Sequence, residues 1–357
     1  MKLLIISNMY PSTKDPVYGT FVQSFVENMS QLNKGDVTDI IVVKGRDGNS
    51  IQKLWKYIKF YCSSLFVLLL KKYDMVYVHT ITYPIIPVRI ACFFKDIPLI
   101  FNVHGGDVLT RGKIAAKLKE FAKPLLNKAK MIVSPSYFFK DVLLREFPFL
   151  TEEKIFVSPS GGIDSSFYHN ESKAKNNSFT IGYVSRISAA KGWDTLLESL
   201  SVLVKTIDCR LIVAGRGTQM KEFKIMIQNL GLSDYVNYVG PIPYKNLPEI
   251  YRQMDLFVFP TCLEESLGLV GIEAMSSGVP VIGSKIGGLT DYIIDDYNGF
   301  YFMPGNSESL TSQILKYYNL DGQSKSKLRN GAFLTAQKYD SNSVNETLYE
   351  EIVKRCL

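Results

Sequence analysis

Two carboxylates, Glu265 and Glu273, stand eight residues apart in EESLGLVGIEAMSSGVPVIG, residues 264 to 283. A polar, acidic entry runs there into a helical pattern set with small residues (Gly271, Ala274, Ser276, Ser277, Gly278), and then into a short apolar strand. With most of the interval helical, a rise of about 1.5 Å per residue parts the two acids by roughly 12 Å. A helix N-terminus falls between them, and its free N–H groups and positive dipole end suit a phosphate. The spacing therefore fits a ligand with hydroxyls at both ends and an anionic middle, each acid gripping one end.

Three further groups could join them. Arg186 and Lys191 lie in IGYVSRISAAKGWD, where a strand pattern turns into a helix, and two cations at such a turn can meet a diphosphate. His104 and Asp107 emerge beside Gly105 and Gly106 where the strand PLIFNV ends, and ligands of parallel sheets sit at the carboxyl ends of strands. His79 also follows a strand but reads as structural, and His169, in a polar linker, as inert. After the first strand, SNMYPSTKDPVYGTF lacks the G-x-G-x-x-G turn of a dinucleotide site, offering instead a proline-bounded loop that ends in Gly19 and Thr20.

Taken together, the 264–283 stretch resembles the signature of the retaining glycosyltransferases of family 4. Glu265, Gly268, Leu269, Val270, Glu273, Ala274, Met275, Gly278, Pro280, Val281 and Ile282 match position for position, and Leu267 stands where the family usually has Phe. Arg186 and Lys191 resemble the family's G-R-x-x-x-x-K-G pair, with Ser185 for the frequent Gly; KIFVSPSGGID looks like its V-x-P-N-G-V-D hinge, with Ser160 for Asn. The resemblance implies a GT-B fold, in which two Rossmann-like domains with parallel sheets face a central cleft. It implies that Glu265 holds sugar hydroxyls and steadies positive charge at the anomeric carbon, that Glu273 holds ribose hydroxyls, and that Arg186, Lys191 and the amides of Leu269 and Val270 meet the diphosphate. His104 would touch the sugar, the Gly19 loop would reach donor phosphates, main chain from Val239 to Ile242 would meet the base, and Gly215 and Gly217 would keep side chains out of the cleft. Asp107 and Thr20 fall on the acceptor side.

The bulk properties fit such a molecule. At 357 residues the chain is long for one core and comfortable for two domains. Its composition, 46% hydrophobic and 21% charged, is that of a globular protein. Five scattered cysteines without a C-x-x-C pair indicate neither a disulfide framework nor a zinc site and suit a reducing cytosol. MKLLIISNMYP reads as a first strand, its apolar run being short of a signal peptide's core of about 7 to 15 residues. The longest apolar run, Leu65 to Leu70, is far short of the roughly 20 residues a bilayer-crossing helix needs.

Strand patterns near 2–6, 38–43, 74–78, 98–103, 130–134 and 154–158, then near 179–185, 209–214, 235–239, 255–259, 279–282 and 299–302, alternate with helical ones, as in parallel sheets covered on both faces. The boundaries expected are an acceptor-binding domain at 1–164, a nucleotide-sugar donor domain at 165–340, and a helix at 341–357 returning to the first domain. Charge is uneven: 22 Lys+Arg against 14 Asp+Glu through residue 165, but 19 against 20 beyond it. A basic first half suggests an anionic partner, and two basic stretches, 51–72 with interleaved aromatics and 111–130, suit the surface of an anionic membrane. No nucleic-acid module is recognisable.

The expectation is a cytoplasmic enzyme, peripheral on the membrane, that moves a sugar from a nucleoside diphosphate sugar, UDP- ahead of GDP-, to a hydroxyl of a glycan or lipid-linked acceptor in bacterial surface polysaccharide synthesis. No cofactor is expected, and the lack of any D-x-D sequence accords with a metal-free site. A nucleotide-sugar epimerase of the same fold and a non-catalytic sugar-nucleotide binding protein are the competing readings.

Overall fold

The computed structural model describes residues 1–15, 18–34, 38–46, 48–109, 112–168 and 178–356. His169 and Arg111 lie outside the described residues, as does nearly all of the polar linker HNESKAKNNS. The chain forms two compact units, one of Met1–Gly162 with Asn342–Leu357, the other of Ile163–Ser341.

In the first unit the elements run β1 (Leu3–Tyr10), α1 (Thr20–Leu32), β2 (Thr38–Lys44), α2 (Ser50–Leu70), β3 (Met75–His79), α3 (Ile85–Phe94), β4 (Leu99–Asn102), α4 (Lys113–Lys128), β5 (Met131–Ser134), α5 (Tyr137–Glu146) and β6 (Ile155–Val157). The six strands make one parallel sheet in the order β2-β1-β3-β4-β5-β6. Its central strands carry unbroken apolar runs because both faces are covered: Leu3, Leu4, Ile5 and Ile6 are all fully buried, alternating between two core clusters. One face receives α2 to α5; the other receives Val22, Phe25, Val26 and Met29 of α1, at the i, i+3, i+4, i+7 spacing of a helix stripe.

The second unit continues with β7 (Phe179–Val184), α6 (Trp193–Leu203), β8 (Cys209–Ala214), α7 (Met220–Asn229), β9 (Val236–Gly240), α8 (Leu247–Tyr251), β10 (Leu256–Phe259), α9 (Leu269–Ser276), β11 (Val281–Ser284), β12 (Gly299–Phe302), α10 (Ser307–Tyr318) and α11 (Gly322–Gln337). Its parallel sheet has the order β12-β11-β10-β7-β8-β9. The final helix, α12 (Ser341–Cys356), packs in the first unit, with Leu348 and Ile352 in the core beside Leu3 and Met29 and the Tyr349 hydroxyl donating to Asn33.

All twelve strands begin within two residues of the positions expected from the sequence. What positions a site is the order of the strands. In the first sheet the chain reverses direction between β1 and β3; in the second it reverses between β7 and β10. At such a switch point the loops after the two strands leave in opposite directions and open a crevice at the carboxyl edge.

Candidate functional site

At the β7/β10 switch point the loop after β7 brings Arg186 and Lys191, and the loop after β10 brings Thr261 and Glu265. Lys191 Nζ lies 2.5 Å from Glu265 Oε1, with side chains only 10% and 18% exposed. The Thr261 hydroxyl donates to the same oxygen at 3.0 Å. Oε1 is thus held by two donors, while Oε2 has no partner among the described residues.

The backbone brings these groups together. Gly192 has a φ of 70°, and a Cβ there would fall 1.7 Å from the Pro260 carbonyl oxygen, so only glycine lets the Lys191 loop close on the end of β10. That closure is locked by the Cys262 amide donating to the Ala190 carbonyl at 2.8 Å, and Tyr183 donates to the Lys191 carbonyl at 3.3 Å. On its far side, Glu265 rests on the Gly287–Gly288 turn. The Gly288 amide donates to the Glu265 carbonyl at 2.7 Å, and a Cβ at Gly288 would lie 2.6 Å from Leu267 Cα and the Ser266 carbonyl oxygen. Arg186, by contrast, is exposed and makes no side-chain hydrogen bond or ion pair among the described residues.

The segment joining the two acids differs from its expected form. Helix α9 begins only at Leu269, capped by Gly268 in the left-handed region; Ser266 and Leu267 form bends, and the helical rise applies to only half the interval. Gly268 has a φ of 86°, and a Cβ there would fall 2.8 Å from the Phe259 ring and 3.1 Å from Leu289, so the turn into α9 is one that glycine makes without strain. The amides of Leu269 and Val270 open the helix without acceptors among the described residues.

Glu273 is 4% exposed and accepts one hydrogen bond, 2.8 Å from the Tyr251 hydroxyl. Burial without a cation pushes its carboxyl up to about 7, with the Tyr251 bond pulling the other way. A Cβ at Gly215 would fall 1.9 Å from the Ser185 carbonyl oxygen, so glycine lets the strand-end loop that carries Arg186 close here, and its amide donates to the Gly240 carbonyl at 2.8 Å. Gly217 is likewise packed on the Ile187 carbonyl. Val239 is half-buried at the end of β9, against the same apolar cluster as Ile242.

In the first unit the site residues gather at the β1/β3 switch point. Gly19 caps α1 against the backbone of Met9 and Tyr10, Thr20 is exposed, and Phe21 packs on the His104 ring at 4.7 Å. Asp107 is buried, and both its oxygens are used: one accepts the His104 amide at 2.9 Å, the other the Ile81 amide at 3.1 Å. It ties the loop after β4 to the loop after β3 and so positions His104.

His79, read from the sequence as structural, is directly bonded to His104: His79 Nδ1 and His104 Nε2 are 3.2 Å apart, with rings stacked at 10°. Burial holds both imidazoles below their ordinary pKa, so the pair is neutral at pH 7. His79 Nε2 is buried and has no hydrogen-bond partner among the described residues. A bare acceptor there costs less than an orphaned N–H, which assigns the proton to Nδ1. His79 then donates to His104 Nε2, and His104 carries its own proton on Nδ1. A strand ending in His beside the switch point was the available signal. Thr261 and Tyr251 had no such signal, since their roles rest on partners 4 and 22 residues away.

Among known proteins, residues 164–333 match the family described as Glycosyl transferases group 1, and residues 24–165 match Glycosyltransferase Family 4. The capsular polysaccharide biosynthesis glycosyltransferase CapM of Staphylococcus aureus is 29% identical over 187 residues, 51% of this chain and 47% of that protein. N-acetyl-alpha-D-glucosaminyl L-malate synthase of Bacillus anthracis is 23% identical over 257 residues, 71% of this chain and 62% of its own length. Matches to such curated relatives span 33% to 63% of the relatives' lengths. HepE of Anabaena, crystallised with UDP, superposes with a TM-score of 0.78 at 21% identity over 99% of this chain and 100% of that one, a likeness of fold.

Proposed function

Because the chain belongs to the glycosyltransferases of group 1 and family 4 and carries their GT-B fold, we propose that it moves a sugar from a nucleoside diphosphate sugar to a hydroxyl of a glycan or lipid-linked acceptor. The observation that carries this reading is the Lys191–Glu265–Thr261 cluster at the switch point of the second unit. A UDP-sugar comes ahead of a GDP-sugar, in keeping with the UDP bound to HepE.

As the donor bond breaks, negative charge grows on the leaving diphosphate. Lys191 spends one of its three N–H groups on Glu265, leaving two for phosphate oxygens; exposed Arg186 and the open amides of Leu269 and Val270 add to that field. This charge stabilisation needs no metal ion. Glu265, fixed through Oε1, turns Oε2 to the sugar hydroxyls and to positive charge at the anomeric carbon; Glu273 accepts from the ribose hydroxyls. The family resemblance supports retention of configuration, and it also supports His104 as a sugar-contacting residue.

The name of CapM supports a place in surface polysaccharide synthesis. Peripheral contact with an anionic membrane, on its cytoplasmic side, through 51–72 and 111–130 belongs to the same proposal. In the second stretch Lys119 and Lys123 are already engaged, with Glu146 and Glu120.

Glu273→Ala and Lys191→Ala are each expected to lower turnover by roughly tenfold or more, with full activity in EDTA; unchanged kinetics in both variants remove the donor assignment, and a strict Mg²⁺ or Mn²⁺ requirement removes the charge scheme. A panel of UDP-, GDP- and ADP-sugars identifies the donor by thermal shift, since a ligand at 100 times its Kd stabilises by about 2.7 kcal/mol. Release of UDP only in the presence of an acceptor distinguishes transfer from epimerisation and from binding alone.

A further inference from the structure

Helix α2 carries two apolar stripes. One, with Phe60 and Leu68, faces the core. The other, on its solvent side, comprises Ile51, Leu54, Trp55, Ile58, Phe66 and Leu69, at i, i+3, i+4, i+7, i+15 and i+18, and these residues are 36% to 67% exposed. A helix that only covers a sheet has polar residues on that side, and a contiguous exposed apolar surface marks an interaction site. At the far end of α2 the stripe is joined by the tip of α3, where Phe93 and Phe94 are 84% and 70% exposed. The two helix ends are pinned together by Lys95 Nζ, which donates to the carbonyls of Leu68 and Lys71 at 3.3 and 2.5 Å.

Beside these ends, at the amino edge of the sheet and away from His104, lies a groove of about 700 Å³ lined by Lys71, Lys72, Lys95, Lys128, Lys130 and Arg355, with Asp74 and Asp96 the acids among its lining residues. Lys71 is paired with Asp39 and Arg355 with Glu351. The side chains of Lys72, Lys128 and Lys130 make no hydrogen bond or ion pair among the described residues.

We propose that the first unit seats itself on an anionic lipid bilayer, with the outer stripe of α2 and the Phe93–Phe94 tip entering the interface and the basic groove receiving headgroup phosphates. Charge decides the occupant: a second copy of this chain would set the same lysines face to face, whereas an anionic bilayer offers apolar depth and phosphate together. The inference rests on the peripheral-contact part of the reading above and not on donor chemistry, and vesicle binding is measured without substrate, so the two fail separately.

The chain contains two tryptophans, and Trp193 is buried with its Nε1 bonded to Gln219, so Trp55, 65% exposed, reports on its own surroundings. The full chain is mixed with phosphatidylcholine vesicles with and without phosphatidylglycerol. Expected are a blue shift of Trp55 emission and co-sedimentation with the anionic vesicles only, reversed by salt. Lys72→Gln/Lys128→Gln/Lys130→Gln and, separately, Phe93→Ser/Phe94→Ser change exposed residues, leave Trp55 in place, and should each lower the partition coefficient by roughly tenfold or more. An emission spectrum that vesicles do not move, or equal binding by wild type and both variants, overturns the proposal. So does light scattering that shows a wild-type dimer which Trp55→Ser converts to monomer, because the stripe would then belong to a second copy.

Discussion

Replacing Glu273 by glutamine should make the protein more stable at alkaline pH while weakening its hold on the donor. The carboxyl titrates near 7 in the folded chain against 4.5 for the free side chain, because burial disfavours the charged form. Between those values the folded state keeps a proton that the unfolded state has released, so stability falls as pH rises through the window and the whole penalty is present above 7. At about 1.4 kcal/mol per pH unit the gap amounts to roughly 3 kcal/mol. Glutamine keeps the shape and the hydrogen bond from Tyr251 but has no charge to desolvate. For a unit of this size, about 2 to 4 °C per kcal/mol gives a rise in Tm of roughly 6 to 12 °C at pH 8, vanishing near pH 4.5. The assay is thermal unfolding of both proteins from pH 4.5 to 8.5, with donor titrations alongside. Wild-type donor affinity should fall as pH drops through 7, since in the proposed donor complex only the ionised group would accept ribose hydroxyls freely, and this dependence should be absent in the variant. A Tm difference that stays flat with pH, or favours wild type at pH 8, refutes the reasoning.

Two further outcomes test the other acid. Lys191→Met alone leaves a partly buried carboxylate uncompensated and should cost about 3 to 5 kcal/mol of stability, whereas Lys191→Met/Glu265→Gln should recover most of that loss while staying inactive; additive losses by denaturant unfolding would mean that the 2.5 Å pair carries no coupling. Gly288→Ala must push on Leu267 and Ser266, the segment next to Glu265, and should lower kcat more than it raises the donor KM; an unchanged kcat would show that the turn does not place the carboxylate.

The fold was legible because parallel strands buried on both faces cannot avoid apolar runs: LLII, LIF, MIV and LFVF announce themselves, and their alternation with helical patterns leaves few topologies. The site was legible as a set of positions. Lys191 and Glu265 were both named from local motifs, yet their bond spans 74 residues and depends on the chain reversing between β7 and β10. Spacing within one segment cannot show that; nor could it show that α9 starts as late as Leu269, behind Gly268 in the left-handed region. The histidine pair escaped for a related reason. His104 is named from its place after a strand while His79 reads as structural, and only the adjacency of β3 and β4 joins the two into one hydrogen-bonded unit. Asp107 is found by its place, but its partners are not, because the backbone amides that both its oxygens accept lie 3 and 26 residues away.

The two acids of the signature are handled in opposite ways, and the difference bears on mechanism. Glu265 is given a cation and a hydroxyl, both held on one oxygen, which suits a carboxylate proposed to oppose positive charge developing at a sugar carbon. Glu273 is given burial and one tyrosine, so its charge is held at a cost. In the proposed complex two ribose hydroxyls would add donors to the one from Tyr251, lowering the carboxyl pKa on binding. Donor binding near pH 7 then releases a proton from Glu273, and calorimetry in buffers of different ionisation enthalpy should see that proton in wild type and lose it in Glu273→Gln. The same burial that weakens the resting fold becomes a part of the donor's binding energy, which ties nucleotide recognition to the stability of the second unit.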